Sequence, residues 1–245
     1  MHRFFINKED IKGKRIIVKG EDVKHISNAL RLRSGGNTVL CDGEGKDYIV
    51  SIMDIDKNSV ITEILNIEES VGEIDLDITI YQGMPKSTKM EFVIQKCTEL
   101  GANKIVPIVS ERTVVKLASI NDEIKKINRW QKIAEEAAKQ SNRGRIPCIG
   151  MPMSFENAVT DSLNKDLSLI PYEKEKDISL KDILSNARPE SIGVFIGPEG
   201  GFEDKEVQLA IDNKAKVVTL GNRILRTETA ALTVLSCILY EYNQF

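Results

Sequence analysis

Residues 192–231 confine the chain more than any other stretch: they contain two strand–loop–helix units in series. Ile192 to Ile196 is a short apolar run closed by glycine and proline, which suits a buried strand better than a helix. Gly197-Pro198-Glu199-Gly200-Gly201 turns the chain, and Phe202 to Glu206 opens a helix with acids in its first turn. Lys216 to Leu220 is a second strand, Gly221-Asn222-Arg223-Ile224-Leu225-Arg226 a second loop, and Thr227 the predicted N-cap of a helix. In that helix Ala230, Ala231, Val234, Leu235, Ile238, Leu239 and Tyr242 recur at helical spacing. The pattern predicts two special loops at the carboxyl ends of neighbouring parallel strands, where open α/β sheets bind ligands.

Upstream, Leu76 to Tyr81, a helix from Lys89 to Leu100 capped by Gly101, and Ile105 to Val109 form a βαβ unit. The predicted class is therefore α/β with a mostly parallel sheet. A helix over 122–140, a helix over 155–163, a strand over 167–173 and a helix over 177–186 complete this region. Residues 1–70 read instead as a small β domain, with strands near 15–19, 37–42, 47–52 and 59–64 and one helix from Glu21 to Arg33. Val23, Ile26, Leu30 and Ala29 are its expected inward residues, and such short, closely spaced strands favour a small barrel. The acid-bearing stretch Ser70 to Asp75 is the predicted linker, giving domains over 1–70 and 75–245.

Charge and residue counts remove several classes of function. No apolar run reaches the roughly 18 residues of a membrane span, and the first ten residues become charged too early for a signal peptide. Cys41, Cys97, Cys148 and Cys237 include no C-x-x-C pair, as expected of free thiols in a cytoplasmic protein. With His2 and His25 as the only histidines, no metal site is expected, and a Ser-His-Asp site has few ways to form. The net charge of −3 is uneven: residues 84–150 hold 13 Lys and Arg against 7 Asp and Glu. That surplus suits either a phosphate-backbone footprint or a solvated helix face. Arg143 and Arg145, in a polar loop before Pro147, are candidate phosphate contacts. Arg31 and Arg33 either meet phosphate or complement a helix end.

Gly197 to Gly201 does not fit G-x-G-x-x-G, no P-loop lysine follows, and Pro198 removes a donor that a phosphate cradle would use. A ligand whose adenine and ribose meet the main chain fits better, with Ile196, Leu220, Ile224 and Leu225 sandwiching a flat ring.

Several motifs resemble the RsmE family of ribosomal RNA methyltransferases, in the SPOUT superfamily. They are Met1-His2-Arg3-Phe4-Phe5, His25 with Leu30-Arg31, Lys96 to Gly101, Ser110-Glu111-Arg112, Glu136 to Arg143, Ile196 to Phe202 and Leu220 to Ala230. The resemblance covers nearly the whole chain, and the last two motifs are the most specific. It implies S-adenosyl-L-methionine as methyl donor and N3 of a uridine in small-subunit (16S) ribosomal RNA, free or in the assembled 30S particle, as acceptor. It further implies an N-terminal PUA-like RNA-binding barrel, a C-terminal sheet tied in a trefoil knot, and a homodimer. The implied cofactor residues are Leu169, Ile196, Gly197, Gly201, Leu220, Gly221, Ile224, Leu225, Thr229 and Ala230. Arg3, Arg31, Arg33, Arg112, Arg143, Arg145 and Arg223 are the implied RNA contacts. Arg226 or Arg223 is the candidate for stabilising charge on uracil, and Glu199 or Glu228 for taking its proton. Two alternatives stay open: methylation of a ribose hydroxyl or another base, and a non-catalytic RNA-binding module.

Overall fold

A computed structural model describes residues 3–86, 88–115 and 119–244, so Met1 and His2 of the opening motif lie outside the described residues. The chain divides into two compact units: Met1–Glu73 with Ala138–Ile146, and Ile74–Ala137 with Pro147–Phe245.

In the first unit, β1 (Arg3–Phe5), β2 (Ile11–Lys12), β3 (Arg15–Lys19), β4 (Asn37–Cys41), β5 (Lys46–Ile55) and β6 (Ser59–Glu69) form one curled sheet in the order β1-β4-β5-β6-β3-β2. Only β1 and β4 pair in parallel. Alternation sends Ile16 and Val18 of β3 into a core with Phe4, Leu40, Val50, Ile52 and Val60, and leaves Arg15 and Lys19 outside. The helix predicted over 21–33 is much shorter. Its α-helical part, α1, is Glu21–Lys24, followed by a π-helical turn over His25–Ala29. Arg31 then takes a positive φ of 53°, and the Leu32 N–H bonds back to the Ile26 carbonyl, a helix-ending motif. Beyond it Gly35 and Gly36 exchange hydrogen bonds with Ile52, which draws the chain towards β5. Ala29, predicted inward, is exposed, whereas Val23 and Ile26 are buried.

The 138–146 segment joins this unit through Glu73. Its Oε1 accepts from the backbone N–H groups of Gly144 and Arg145, both at 2.8 Å, and its Oε2 accepts from Arg143 Nη2 at 2.9 Å.

In the second unit, β7 (Asp77–Gly83), β8 (Lys104–Val109), β9 (Cys148–Ile149), β10 (Met153–Ser154), β11 (Leu167–Pro171), β12 (Ser191–Ile196) and β13 (Lys216–Val218) are all parallel. The order is β10-β8-β7-β12-β11-β13, with β9 also on β8. Around them run α2 (Lys89–Glu99), α3 (Ile120–Gln140, its end belonging to the first unit), α4 (Phe155–Ser162), α5 (Leu180–Ser185), α6 (Asp204–Asp212) and α7 (Thr227–Glu241). Both sheet faces are covered, so the strands are apolar at successive positions. Ile78, Ile80, Val194 and Ile196 pack on one face with α2 and α7 residues, and Tyr81, Phe195 and Ile170 on the other with Phe155, Phe202 and Val207.

One expectation changes here. β12 and β13 are not neighbours, because β11 lies between them and pairs with both. A helical crossover spans an intervening strand as readily as none, and the site therefore gains a third loop.

Candidate active site

Three loops at the carboxyl ends of β12, β11 and β13 enclose a cavity of about 440 Å³. Its walls come from Pro171–Glu173 and Lys176, Ile196–Phe202 and Thr219–Thr227, together with Lys89 from α2 and Ala230 from α7. The first turn is closed by Gly201 N–H on the Pro198 carbonyl at 3.0 Å, with Gly201 at φ +69°. It is so tight that a Cβ on Gly197 would lie 3.1 Å from Gly201 Cα. Side-chain atoms at either glycine would fill the cradle.

The second loop is tied to the first by Thr227. Its hydroxyl donates to the Gly197 carbonyl at 2.6 Å and accepts from Gln82 Nε2 at 2.8 Å. Thr227 is therefore not the N-cap: Arg226 occupies that position, without a side-chain cap, because the threonine hydroxyl is engaged across the sheet. Of the predicted cofactor residues, Ile196, Gly197, Gly201, Leu220, Gly221, Ile224, Leu225 and Ala230 line the cavity. Leu169 is fully buried in the core, and Thr229 is exposed away from the lining.

Glu199, Arg223 and Arg226 also line the cavity. Glu199 Oε1 accepts from the Lys86 N–H at 3.1 Å and from Lys89 Nζ at 3.2 Å. Burial pushes the Glu199 carboxyl upward, but hydrogen bonds from its own and the Lys86 backbone, and then from Lys89, outweigh that and hold it below its ordinary range. Glu228 stands just behind the lining. Lys89 Nζ lies 3.5 Å from its Oε2, an oxygen that is buried without a hydrogen-bond partner. Lys89 thus sits between two carboxylates, one from the first glycine turn and one from the first turn of α7.

The predicted RNA arginines fall into distinct settings. In the first unit Arg31, Arg33 and Arg145 are exposed. Arg3 forms a two-pronged pair with Asp47, at 2.8 and 2.5 Å. Arg143 is 1% exposed, its guanidinium turned onto Glu73 rather than towards solvent. In the second unit Arg223 is exposed on the cavity rim, and Arg112 is bonded to Glu203 and Gly200.

Sequence reasoning missed Lys89, Tyr172, Glu173 and Lys176. The last three follow β11, which ends in the same strand-to-loop grammar as its neighbours. Lys89 carries no such signal, since only the fold brings it across more than a hundred residues to Glu199. The four cysteines are free. Among the described residues there is no cluster suited to a metal ion and no helix long and apolar enough to cross a membrane.

Comparison with known proteins matches residues 72–239 to the family described as RNA methyltransferase domain, and residues 18–65 to the RNA methyltransferase PUA domain. Ribosomal RNA small subunit methyltransferase E of Bacillus subtilis is 34% identical, over 98% of this chain and 97% of its own. The crystal structure of the Neisseria gonorrhoeae enzyme of that name, bound to S-adenosyl methionine, superimposes with a TM-score of 0.85 at 32% identity, covering 98% of this chain and 97% of that one. A Legionella pneumophila methyltransferase in complex with the same cofactor gives 0.84 at 31% identity, over 97% and 96%. With the parallel sheet, the three-loop cavity and these full-length likenesses together, the chain belongs to the ribosomal RNA small subunit methyltransferase E family, RsmE.

Proposed function

We propose that the protein transfers a methyl group from S-adenosyl-L-methionine to N3 of a uridine in 16S ribosomal RNA. The observation that carries this reading is the three-loop cavity, whose volume of about 440 Å³ lies within the range of small-molecule sites. Its residues fit the donor. Ile196, Leu220, Ile224 and Leu225 offer apolar faces to adenine, and the Gly197–Gly201 turn leaves main-chain groups open to its edge and ribose. The cofactor supplies a methyl group already activated by its sulfonium.

The protein's own work is placement and the handling of charge. Uracil N3 carries a proton that must leave as the nitrogen attacks. Glu199 is committed to Lys86 and Lys89, so it anchors the turn. Glu228 has an oxygen without a hydrogen-bond partner, and it takes the proton. Arg226, with Arg223 beside it on the lining, stabilises the negative charge that develops on the uracil oxygens. Arg31, Arg33 and Arg145 of the first unit meet the RNA backbone, while Arg3 and Arg143 hold that unit together.

The protein works in the cytoplasm as a homodimer on the assembled 30S particle or its RNA. Tyr240 on α7, 80% exposed, supports a partner on that helix. The tight passage of Gly83 against Pro198 supports the threaded crossing of a trefoil knot. Mass analysis of 16S ribosomal RNA digested after incubation with protein and cofactor tests the reaction. N3-methyluridine is the expected product; a 2′-O-methyl nucleoside, or no product alongside no binding of S-adenosylhomocysteine, overturns it.

A further inference from the structure

The segment after β8 lies against the first glycine turn. Ser110 and Thr113 close a tight turn of their own: Ser110 N–H donates to Thr113 Oγ1 at 2.9 Å, and Thr113 N–H to the Ser110 carbonyl at 3.0 Å. That turn presents Glu111 and Arg112 to the start of α6. The Glu111 N–H donates to Oε1 of the buried Glu206 at 2.9 Å, while Glu206 Oε2 accepts from the Glu203 N–H at 2.8 Å. Arg112 completes the contact. Its Nε donates to Glu203 Oε1 and its Nη1 to the Gly200 carbonyl, both at 2.8 Å. Its side chain also lies along the turn, where a Cβ on Gly200 would come within 3.1 Å of Arg112 Cβ.

One planar guanidinium therefore holds a carbonyl inside the turn and the carboxylate at the N-cap of the helix leaving it. Two of its donors are spent within the protein, in the forked geometry that arginine provides and lysine does not. A half-exposed pair of this kind adds little to global stability. Its effect is local: a turn with three glycines in five residues has many accessible backbone states, and a ligand that needs one of them binds more tightly when that one is fixed beforehand.

We propose that Arg112 is a positioning residue of the donor pocket, clamping the Gly197–Phe202 turn in its binding shape, and not an RNA contact. This rests on the reading of the cavity as the S-adenosyl-L-methionine site, and it departs from the expectation that placed Arg112 among the RNA arginines.

The test uses the full chain with Arg112→Ala and Arg112→Lys. Each variant is titrated with S-adenosylhomocysteine by calorimetry, melted, and bound to a 16S ribosomal RNA fragment over a range of salt. S-adenosylhomocysteine binding weakens about tenfold in Arg112→Ala and nearly as much in Arg112→Lys, since an ammonium cannot span both acceptors. The Tm of both variants stays within about 2 °C of wild type, as expected for a half-exposed pair. The slope of log K for RNA against log salt is unchanged, whereas a lost phosphate contact would flatten it by about 0.7 to 0.9. Unaltered S-adenosylhomocysteine affinity in Arg112→Ala, a flattened salt slope, or affinity lost only in step with Tm would each overturn the assignment. If wild-type protein itself failed to bind S-adenosylhomocysteine, the reading of the cavity would fall and this inference with it. Wild-type binding retained by the variants sinks the inference alone.

Discussion

The Thr227 hydroxyl donates to the Gly197 carbonyl across 2.6 Å, so the first residue of α7 fastens the end of β12. The same oxygen accepts from Gln82, so a single hydroxyl joins β7, β12 and α7 beneath the cavity. Thr227→Val keeps the shape and removes both bonds. It is expected to destabilise the protein by about 1–3 kcal/mol, the cost of buried polar groups left unpaired, and to weaken S-adenosylhomocysteine binding. Thr227→Ser is expected to restore both. Denaturant titration and calorimetry on the two variants check this.

Glu228 and Glu199 share Lys89, and the proposed function gives them different roles. Glu228→Gln is expected to lower single-turnover methyl transfer by about 100-fold or more, the usual worth of a general base, with S-adenosylhomocysteine affinity kept within about twofold. Glu199→Gln is expected to do the reverse, weakening binding and sparing the rate at saturating donor. If the two variants exchanged phenotypes, the proton acceptor would be Glu199.

The lowered pKa of Glu199 has a sign that can be tested by pH. Its folded-state value lies below the ordinary 4.5, so its contribution is complete above that value and is lost as pH falls through the lower folded one. Donor binding by wild-type protein should therefore persist at about pH 5 and decline only below the usual carboxylate range. Lys89→Met removes one of the bonds that lower it, and the decline should begin at higher pH. Calorimetric titrations of S-adenosylhomocysteine at stepped pH measure both curves, and an unshifted curve in Lys89→Met would count against the pairing.

Gly83 tolerates no side chain. A Cβ there would sit 2.5 Å from Pro198 N and 2.6 Å from its Cδ, neither of which can swing aside. Gly83→Ala should cost about 1–3 kcal/mol or more through overpacking, read as a fall in Tm.

In the first unit, the Arg143–Glu73 pair is enclosed, with side chains 2% and 11% exposed. Arg143→Met leaves a carboxylate without its cation, and a loss of about 3–5 kcal/mol is expected in chemical denaturation. Were Arg143 an RNA contact instead, the variant would keep its stability and lose RNA affinity.

Much of this architecture was legible because it follows from local rules. Apolar runs buried on both faces announced parallel strands, glycines and Pro198 marked the turn, and helical spacing located α2, α3 and α7. The lining of the candidate site was legible where it lies beside those punctuation marks, and eight of the ten residues expected to hold a cofactor line the cavity. The misses have physical causes. Strand order is a tertiary choice, so β11 could not be read between β12 and β13. Thr227 had two uses for one hydroxyl, and the cross-sheet bond prevailed over capping. Arginines look alike in sequence whether they face solvent or a partly buried glutamate, and only the fold separates Arg145 from Arg143. The helix expected up to Arg33 stopped early because Gly35 and Gly36 were needed to pair with Ile52.

The attachment of residues 138–146 to the first unit also orders events in time. A ribosome releasing the chain from its amino end exposes the six β strands long before it delivers Gly144 and Arg145, whose N–H groups satisfy Glu73. Until then that carboxylate must be served by water. The first unit is therefore completed only after residues 74–137 of the second have been made, and a fragment ending at residue 73 would be a half-closed garment missing its clasp.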